Sequence, residues 1–582
     1  MRKTEIQTYE FNENSIEALG SDTWELNWPV VYQLFNDSLI YVGETTNLKA
    51  RMKQHVKIPQ KQSLTKFSAI YDNTYNKSVV LDLESQLIQW FSGDGKYKML
   101  NQNIGQFDRE YYNRKKYSVH FADVWKLLRD IKVAEKTITE IENSGLFKFS
   151  PYKRLNEDQI KVVSQVMEEL KKAFESAQKT ISVITGEEGT GKSIVLMFMA
   201  KLVCDIQDCE IQDDEPDLED YFEIYFRNPV ADLFKDKSVA MVIPNQSLKG
   251  SISKIFKGII NMGSVDLLSP LEFGLKNKAY DLTFIDEAHL LKISNQEVHK
   301  KNRQKFEEIN KTLFSDNISD HKNYNQLDWI IQKSNHVVMV YADQRVRQNC
   351  VTLDDLNKYT YSKHVLRSQM RSIGGKPFIK YLKSILSDKP PREKQVFPEF
   401  EFKLFENFKQ FVENIEAMES EYGLSRLVAG FAWEWKSKKN KNEYDICIDE
   451  IKMRWNSTLN DFVGSEQSKN EVGSIYTIQG NDLNYCGVII GEDLRYCPKS
   501  EQFKLDRNNY KDRGAKKRTH IQLKKGDPLT DDDLLDQVLR TYRILMNRSV
   551  KGTFVYACDS GLRDYLKRYL EVVELPPQNS NR

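Results

Sequence analysis

Apolar runs of strand length alternate with amphipathic stretches of helix length from Leu155 onward. Because these runs are continuously apolar, they are typical of strands buried on both faces of a mostly parallel sheet. Eight such strands fit two α/β domains better than one. The eight runs are ISVIT (181–185), VAMVIP (239–244), LTFID (282–286), VVMVYA (337–342), RLVAGFA (426–432), YDICI (444–448), GVIIG (487–491) and GTFVYACD (552–559).

The N-terminal part of the chain has a different pattern, in which VVYQLF (30–35) and SLIYVG (38–43) flank the pair Asn36-Asp37. Two short apolar runs separated by two turn-forming residues indicate a β-hairpin. A two-residue turn at this pair would set Tyr32 directly opposite Tyr41 on one face of the hairpin. We therefore expect the two phenol rings to lie side by side.

Two helices are expected after this hairpin. The first begins near Thr46 or Asn47, which are both acceptable N-cap residues, and places Arg51 and His55 on one face. The second is SVVLDLESQLIQWF (78–91), in which Glu84 falls inside an apolar stripe. A carboxylate in such a place needs a metal or a positive side chain as its partner. The stripe consists of Val80, Leu83, Leu87, Ile88 and Phe91.

Residues 109–150 lie between these two regions and are charged and helix-prone, ending at Ser150-Pro151. We predict an α/β chain of four segments. A small α/β domain spans residues 1–108, a helical connector spans 109–150, and two parallel-sheet domains span 151–375 and 376–582.

Composition limits the class of protein. The chain has 582 residues, of which 40% are hydrophobic and 29% charged, as in globular proteins. Its seven cysteines are an odd number without metal-ligand spacing, which argues against a disulfide framework and against a zinc site. The N-terminal sequence lacks an apolar signal region and no stretch approaches eighteen apolar residues. We therefore expect a cytoplasmic protein without a membrane partner.

The net charge of +1 means that any nucleic-acid contact must use local clusters of positive charge. Residues Leu48 to Phe67 carry six lysines and arginines and no acid, which predicts such a cluster beside the hairpin. The basic segment 510–525 is equally consistent with a solvated loop and with a loop that contacts nucleic acid. The acidic segment 205–220 is interpreted as a solvated insertion.

A phosphate-binding loop follows the strand ISVIT, because GEEGTGKS matches the pattern GxxxxGK[ST] and an apolar helix follows it. The glycines Gly186, Gly189 and Gly191 allow the backbone to wrap phosphates at the N-terminus of that helix. Lys192 is expected to neutralise the β- and γ-phosphates, and Ser193 to bind Mg²⁺. This pattern predicts hydrolysis of a nucleoside triphosphate, with ATP as the first choice.

Two carboxylates end the later strand LTFID, in the sequence YDLTFIDEAHLL. Acids at the end of a buried strand are costly unless they perform a function. Asp286 suits coordination of Mg²⁺ through water, and Glu287 suits a base that polarises the attacking water.

Several further motifs resemble those of superfamily 1 helicases. Taken together, residues 151–582 resemble the schlafen-group-3-type helicases, a family long labelled a domain of unknown function (DUF2075). The closing YRILMNRSVKGTFVYACD is the most family-specific piece. The sequence departs from the family at MNRS, where Thr-Arg-Gly is expected, and at Glu188, where a small residue or proline is expected.

The helicase resemblance implies two RecA-like motor domains and a set of nucleotide-contacting residues. Gln159 corresponds to the glutamine that reads adenine, and Gln344 to the residue that senses the γ-phosphate. Gln479 and Gly480 correspond to the motif that couples the nucleotide to the bound strand. Cations from the second motor domain would face the nucleotide, and the candidates are Arg371, Arg543 and Arg548.

The N-terminal segment resembles the GIY-YIG nuclease domain over residues 28–105. The two tripeptides are VVY (30–32) and YVG (41–43), so Val30 stands in place of the expected glycine. The resemblance implies that Tyr41 positions water or phosphate and that Asn101 braces the site. The implied site residues are Tyr32, Tyr41, Arg51, His55, Glu84 and Asn101.

The same resemblance implies a division of roles among these side chains. Glu84 would bind one Mg²⁺ at the scissile phosphate. Tyr32, or His55 in the rival assignment, would help to deprotonate the attacking water. Arg51 would hold the phosphoryl oxygens through its planar guanidinium group.

These observations lead to the hypothesis of an Mg²⁺-dependent GIY-YIG-type endonuclease joined to an ATP-hydrolysing helicase or translocase. DNA is the favoured partner and RNA is not excluded, while assembly with copies of itself or with other chains is open. Bacterial defence against foreign DNA, or DNA repair, follows by analogy from the pairing of modules. The alternative is a nucleic-acid-activated ATPase, a sensor or remodeller whose N-terminal domain binds nucleic acid without cutting it.

Overall fold

Three β-sheets follow one another along the chain and carry helices on their faces. The computed structural model describes residues 4–20, 22–102, 110–209, 222–293, 300–314, 324–342, 350–458, 462–478, 481–512, 516 and 529–574. In this part of the chain no helix combines the length and the apolar character needed to span a bilayer.

The first sheet is small and mostly antiparallel, with its five strands in the spatial order β1-β4-β2-β3-β5. Its strands are β1 (Glu5–Glu10), β2 (Val30–Phe35), β3 (Leu39–Thr45), β4 (Lys66–Tyr71) and β5 (Lys98–Met99). Its helices are α1 (Glu13–Ala18), α2 (Thr23–Asn27), α3 (Leu48–His55) and α4 (Lys77–Asp94).

The hairpin between β2 and β3 differs from the sequence prediction. Tyr32 pairs with Gly43 and not with Tyr41, because four residues rather than two separate the innermost paired residues, Phe35 and Ile40. Asn36 explains the longer loop, since its side-chain Oδ1 accepts a hydrogen bond of 2.8 Å from the backbone N–H of Ser38. The predicted direct pairing of the two tyrosines is therefore wrong. Their rings are diagonal neighbours, with centroids 6.4 Å apart.

The connector forms three helices, α5 (Arg114–Asp130), α6 (Ile138–Asn143) and α7 (Gly145–Lys148). It packs closely on α4: a β-carbon added at Gly93 would lie 2.7 Å from Ile141 and 2.8 Å from Phe147. Phe91 and Trp125 pack against each other across the same boundary, with ring centroids 5.1 Å apart and ring planes tilted by 59°. One hydrophobic core therefore runs from the first sheet through the connector into the second.

The second sheet has six strands in the order β11-β6-β10-β9-β7-β8, and every recorded pairing is parallel, as predicted. Its strands are β6 (Thr180–Gly186), β7 (Val239–Val242), β8 (Asp266–Leu268), β9 (Tyr280–Ile285), β10 (Ser334–Ala342) and β11 (Ser362–Leu366). Its helices are α8 (Glu157–Ser176), α9 (Lys192–Gln207), α10 (Val230–Phe234), α11 (Gln246–Gly258), α12 (Pro270–Leu275), α13 (Lys300–Leu313) and α14 (Gln326–Gln332).

The third sheet has eight strands in the order β14-β15-β16-β13-β17-β20-β12-β21, parallel except for the edge pair β14–β15, and β18 and β19 form a separate hairpin. Its strands and that hairpin are β12 (Glu401–Phe405), β13 (Arg426–Ala429), β14 (Ile446–Ile448), β15 (Ile451–Trp455), β16 (Glu471–Ser474), β17 (Leu483–Ile490), β18 (Leu494–Cys497), β19 (Gln502–Leu505), β20 (Ser549–Ala557) and β21 (Glu571–Val573). Its helices are α15 (Gly375–Ile385), α16 (Phe408–Tyr422), α17 (Ile475–Ile478), α18 (Asp531–Met546) and α19 (Ser560–Lys567).

All eight apolar runs identified in the sequence contain strands of these two parallel sheets. The α/β fold class is therefore confirmed, while the four segment boundaries stay predictions. The segments that carry the second and third sheets are called the first and second motor domains below, after the role that the sequence predicts for them, and the segment that carries the first sheet is called the N-terminal domain.

Candidate functional site

Four of the predicted side chains in the N-terminal domain converge on one face. The hydroxyl of Tyr32 lies 2.7 Å from Nε2 of His55, and Nε of Arg51 donates to the same hydroxyl at 3.4 Å. The ring of Tyr41 lies 5.3 Å from that of His55, centroid to centroid. Helix α3 presents Arg51 and His55 to the tyrosines because Asn47 caps it, as predicted, with its side chain bonded to a first-turn N–H.

Lys61 completes this cluster and was not among the predicted site residues. Its ammonium lies 2.9 Å from Nδ1 of His55 and 3.5 Å from the centroid of the Tyr41 ring. Burial and the positive charges of Lys61 and Arg51 lower the pKa of His55 to about 2, so the ring is neutral. Since an ammonium only donates, Nδ1 must accept and the ring proton lies on Nε2. His55 therefore donates to the oxygen of Tyr32.

Backbone contacts hold the two tyrosine-bearing strands in register. A β-carbon at Gly43 would lie 2.3 Å from the Tyr32 hydroxyl, so only glycine lets the phenol cross this strand. Asn101 binds both backbone groups of Val42, accepting from its N–H at 3.0 Å and donating to its C=O at 2.8 Å. Asn101 thus fixes β3 from outside the cluster, in keeping with a bracing role.

Glu84 lies half-buried on α4, and the five apolar residues predicted to surround it are buried. Burial is the largest cause that raises the pKa of Tyr41, and the negative charge of Glu84 is the second. The Glu84 carboxylate is therefore close enough to Tyr41 to influence its charge. The described residues contain no cluster of three or more His, Cys, Asp or Glu side chains placed to hold a metal. A single carboxylate still fits Mg²⁺, which commonly uses one or two carboxylates together with water and phosphate oxygens.

The predicted basic cluster on residues 48–67 is partly neutralised. Lys53 and Lys49 lie 2.5 Å and 3.7 Å from the carboxylate of Glu17 on α1, a partner that the local sequence does not contain. Lys57 and Lys66 are exposed. The other two cations of the stretch, Arg51 and Lys61, contact Tyr32 and His55 directly.

The predicted phosphate-binding loop connects β6 to α9, with Gly191 at the N-cap of the helix. Lys192 folds back onto the loop and donates to the carbonyl oxygens of Gly186 at 2.9 Å and Glu187 at 2.8 Å. Ser193 donates to Asp286 Oδ1 at 3.0 Å, which brings the two predicted Mg²⁺ ligands together. Hard oxygen donors of this kind suit Mg²⁺.

Asp286 and Glu287 lie at the end of β9, facing this loop. Burial and the neighbouring Glu287 raise the pKa of Asp286 to about 7. Glu287 adopts the left-handed conformation, with φ of 49°, which is rare for a residue with a side chain and occurs often at functional sites. Its Oε2 lies 3.2 Å from Nδ1 of His289.

Two of the predicted arginines reach the phosphate-binding loop. Arg371 lies between β11 and α15, and Arg548 lies directly before β20. Arg371 and Arg548 lie 3.8 Å and 3.5 Å from the carboxylate of Glu188, and Arg371 also donates to Asp482. Arg371, Arg548 and Glu188 each have one buried atom without a hydrogen-bond partner among the described residues. These atoms are Nη1 of Arg371, Nε of Arg548 and Oε2 of Glu188. Buried donors in this state are typical of a site that a ligand completes.

These side chains enclose a cleft of about 320 Å³ between the two motor domains. Its other wall comes from the connector and from α4, with Lys148, Lys153, Arg154 and Gln89 facing the cleft. Several cations around a concave pocket suit a polyphosphate ligand.

Two predicted nucleotide-contacting residues have other partners. The amide of Gln159 lines the cleft, but its oxygen accepts from the N–H of Asn156 at 3.1 Å and its nitrogen donates to the carbonyl of Thr190 at 3.2 Å. Arg543 is not part of the lining; Asp536, on its own helix α18, lies 3.8 Å away. The predicted contact of Arg543 with the nucleotide stays a prediction. The predicted residues Gln344, Gln479 and Gly480 lie outside the described residues.

Comparison with known families supplies the identity of the motor. The family model described as Schlafen group 3, DNA/RNA helicase domain, matches residues 179–559, more than half of the chain. The chain belongs to the Schlafen group 3 helicase family. A second model, that of the GIY-YIG catalytic domain, matches residues 29–98. The predicted fusion of a GIY-YIG domain to a Schlafen group 3 helicase domain is confirmed, and with it the assignment of the chain as an enzyme.

Three individual proteins resemble this Schlafen group 3 chain. The uncharacterized protein YPL245W of Saccharomyces cerevisiae is 26% identical over 421 residues, which are 66% of this chain and 83% of that protein. The DUF1998 helicase MrfA, solved with DNA and AMPPNP, is 9% identical with a TM-score of 0.26, over 73% of this chain and 54% of that chain. Bacteroides Pif1, solved with single-stranded DNA, is 12% identical with a TM-score of 0.22, over 66% of this chain and 91% of that chain. The present chain thus spans about half of MrfA, and these TM-scores are too low to carry an argument.

Several residues of this Schlafen group 3 chain join the sites without having been predicted there. Lys61 was visible only as one of six cations in a basic stretch. Glu188 was visible as a departure from the family pattern, although nothing in the sequence indicated that it faces two arginines. Asp482, Arg154 and Gln89 carried no signal, because their roles depend on how distant segments pack.

Proposed function

We propose that this Schlafen group 3 chain is an Mg²⁺-dependent endonuclease whose cutting is coupled to an ATP-hydrolysing helicase or translocase acting on DNA. The observation that carries the proposal is the convergence of Tyr32, Arg51 and His55 on one face, next to the helix that bears Glu84. Ordinary cross-strand aromatic residues would not require a buried histidine between a phenol and an ammonium group.

Tyr32 is the better candidate for the group that deprotonates the attacking water. Both ring nitrogens of His55 are engaged, by Lys61 and by Tyr32, so His55 has no free lone pair for water. Burial and the neighbouring Tyr41 raise the pKa of Tyr32. Its oxygen receives N–H donors from His55 and Arg51, and the Arg51 guanidinium opposes that rise and would stabilise the negative charge left when the phenol gives up its proton. This arrangement supports Tyr32 as base and His55 as its positioning residue.

Glu84 is the residue we assign to Mg²⁺ in the N-terminal domain. When bound, the metal would stabilise negative charge on the scissile phosphate and on the leaving oxygen. Arg51 would bind the non-bridging phosphate oxygens, and Tyr41 would orient the water or the phosphate. Asn101 holds β3 so that Tyr41 keeps its position.

ATP hydrolysis is assigned to the cleft between the motor domains. Lys192 would leave the carbonyl oxygens of its own loop and bind the β- and γ-phosphates, while Ser193 and Asp286 would hold Mg²⁺. Glu287 would orient and deprotonate the attacking water. Arg371 and Arg548 would offset the charge that develops in the transition state.

DNA is the proposed substrate because the GIY-YIG resemblance points to a family that mostly cuts DNA, and RNA is the second substrate to test. The proposed setting is the cytoplasm. Defence against foreign DNA, or DNA repair, is the proposed role, by analogy with other pairings of a nuclease and a motor.

The deciding experiment compares wild type with Glu84→Ala on plasmid DNA and Mg²⁺, with and without ATP. Loss of the metal-binding carboxylate should reduce the cleavage rate by about a thousandfold or more. Cleavage that survives this substitution would contradict the site assignment. If wild type cuts no single-stranded, duplex or branched DNA or RNA, yet nucleic acid stimulates its ATP turnover, the chain is the sensor or remodeller instead.

A further inference from the structure

Helix α4 takes part in both sites. It carries Glu84 on the tyrosine face of the N-terminal domain, and less than two turns further on it presents Gln89 to the nucleotide cleft. The amide of Gln89 has no hydrogen-bond partner among the described residues, whereas both ends of the Gln159 amide are occupied by protein groups. An amide that faces a cleft can both donate to and accept from a ligand.

Arg154 provides a second link between α4 and the cleft. This arginine lines the cleft and forms an ion pair with Asp82, whose side chain is only 3% exposed and lies on α4. The same carboxylate accepts from the Tyr111 hydroxyl at 3.0 Å and from the Gln86 amide at 2.8 Å. A polyphosphate in the cleft would attract the guanidinium of Arg154 and so act on its partner on α4.

The connector provides a third link, from the second motor domain to α4. Asn143 of α6 donates to the carbonyl of Tyr422 at 2.8 Å and accepts from the amide of Asn484 at 2.8 Å. Lys148 of α7 donates to the carbonyl of Asp482 at 2.5 Å. Because α6 and α7 pack tightly on Gly93 of α4, these contacts form a continuous packed path from the second motor domain to that helix.

We propose that the nuclease domain forms part of the nucleotide site, with the Gln89 amide contacting the bound nucleotide, so that α4 communicates occupancy of the cleft to Glu84. The inference rests on the proposed function of the cleft as an ATP site. The coupling is reciprocal: if ATP changes the state of Glu84, then ligands at Glu84 change the affinity for ATP by the same factor.

The first test measures equilibrium binding of ATP, with Mg²⁺, to the full chain by titration calorimetry. Gln89→Ala should weaken ATP binding about threefold to tenfold, the effect of removing one uncharged hydrogen bond to a ligand. Ser78→Ala is the control, since Ser78 is an exposed polar residue of the same helix and does not line the cleft. It should bind ATP like wild type.

Equal ATP affinity of Gln89→Ala and wild type would overturn the inference, and so would equal weakening by Ser78→Ala, which would indicate a general disturbance of α4. If wild type binds no ATP, the proposed function fails and this inference fails with it. If wild type binds ATP and Gln89→Ala binds it equally well, this inference fails and the proposed ATP site stands.

The second test follows plasmid cleavage as the ATP concentration is raised. We expect ATP to change the cleavage rate of wild type, and the concentration giving half of that change to be about threefold to tenfold higher for Gln89→Ala. Cleavage by wild type that does not respond to ATP would overturn the proposed link between the cleft and Glu84.

Discussion

The tyrosine cluster of the N-terminal domain and the cleft between the motor domains differ in how their polar side chains are held. In the tyrosine cluster, the Tyr32 hydroxyl and both nitrogens of His55 have protein partners at hydrogen-bond distance. In the cleft, Arg371, Arg548 and Glu188 each keep one buried polar atom without such a partner among the described residues. One site is assembled by the protein itself, and the other has binding capacity left for a ligand.

This difference predicts how much each site rearranges when its ligand binds. A preassembled cluster needs little rearrangement when its substrate arrives, so its side chains are already oriented for the transition state. In the cleft, the buried donors of Arg371 and Arg548 that lack a hydrogen-bond partner each cost about 1–3 kcal/mol, which a ligand with many acceptor oxygens would recover. The nucleotide cleft is therefore expected to rearrange on binding, whereas the tyrosine cluster is not.

The largest effect expected from this comparison concerns Arg543 and Arg548, the two arginines of YRILMNRSVKGTFVYACD. Arg548→Ala should reduce ATP turnover about a thousandfold, because it removes a cation that faces the developing charge on the phosphates. Arg543→Ala is the matched control and should stay within about twofold of wild type, since its side chain does not line the cleft. Steady-state ATP hydrolysis measures both. Equal losses in the two variants would contradict the geometry of the cleft.

A smaller effect tests whether the tyrosine cluster is held by Lys61. Lys61→Met should slow plasmid cleavage about tenfold to a hundredfold, as loss of an outer partner of a catalytic side chain commonly does. Without the ammonium, neutral His55 is free to carry its proton on Nδ1 and then no longer donates to Tyr32. Lys57→Met is the control, because Lys57 is exposed in the same basic stretch and does not contact His55.

The pH dependence of Lys61→Met separates this positioning role from simple attraction of DNA. Burial and the charges of Lys61 and Arg51 lower the pKa of His55 to about 2, so removing one of these charges raises that pKa. Below the raised pKa, the imidazolium donates from both nitrogens and the bond to Tyr32 returns. Because burial, the largest cause of the low pKa, is unchanged in the variant, the ratio of wild-type to variant cleavage rates should narrow only at acidic pH, as the pH falls through the raised pKa of His55. A ratio that is constant with pH would contradict the role of Lys61.

The sequence predicts the long periodic elements of this fold well. The eight apolar runs and the stripe around Glu84 are strong local signals, because each residue type agrees with burial in one kind of element. Strands with polar residues were missed, such as Glu5–Glu10 and Ser362–Leu366, since their pairing depends on neighbours distant in sequence. The hairpin register was wrong for a local reason: Asn36 bonds within the loop and lengthens it.

The candidate sites show the same limit. The family resemblance named side chains that do converge, among them Tyr32, Arg51 and His55. Lys61 and Glu188 contact side chains that belong to other elements of the fold, so only the folded structure shows their partners. Arg543 and Arg548 belong to one motif, yet only Arg548 lines the cleft, because a motif gives spacing along the chain and not the direction in which a side chain points.

The smallest expected effect concerns Glu188, whose carboxylate lies between Arg371 and Arg548 where the phosphates of ATP would bind. Because this carboxylate repels phosphate and competes for the same two cations, Glu188→Gln should tighten ATP binding about threefold to tenfold. Glu187→Gln is the matched control: the neighbouring carboxylate is more exposed and pairs with Lys383, so ATP affinity should change by less than about twofold. Equilibrium titration with ATP and Mg²⁺ measures both variants. Weaker binding by Glu188→Gln would mean that Glu188 holds the two arginines in their binding positions, and the cleft would then be preassembled in the same way as the tyrosine cluster.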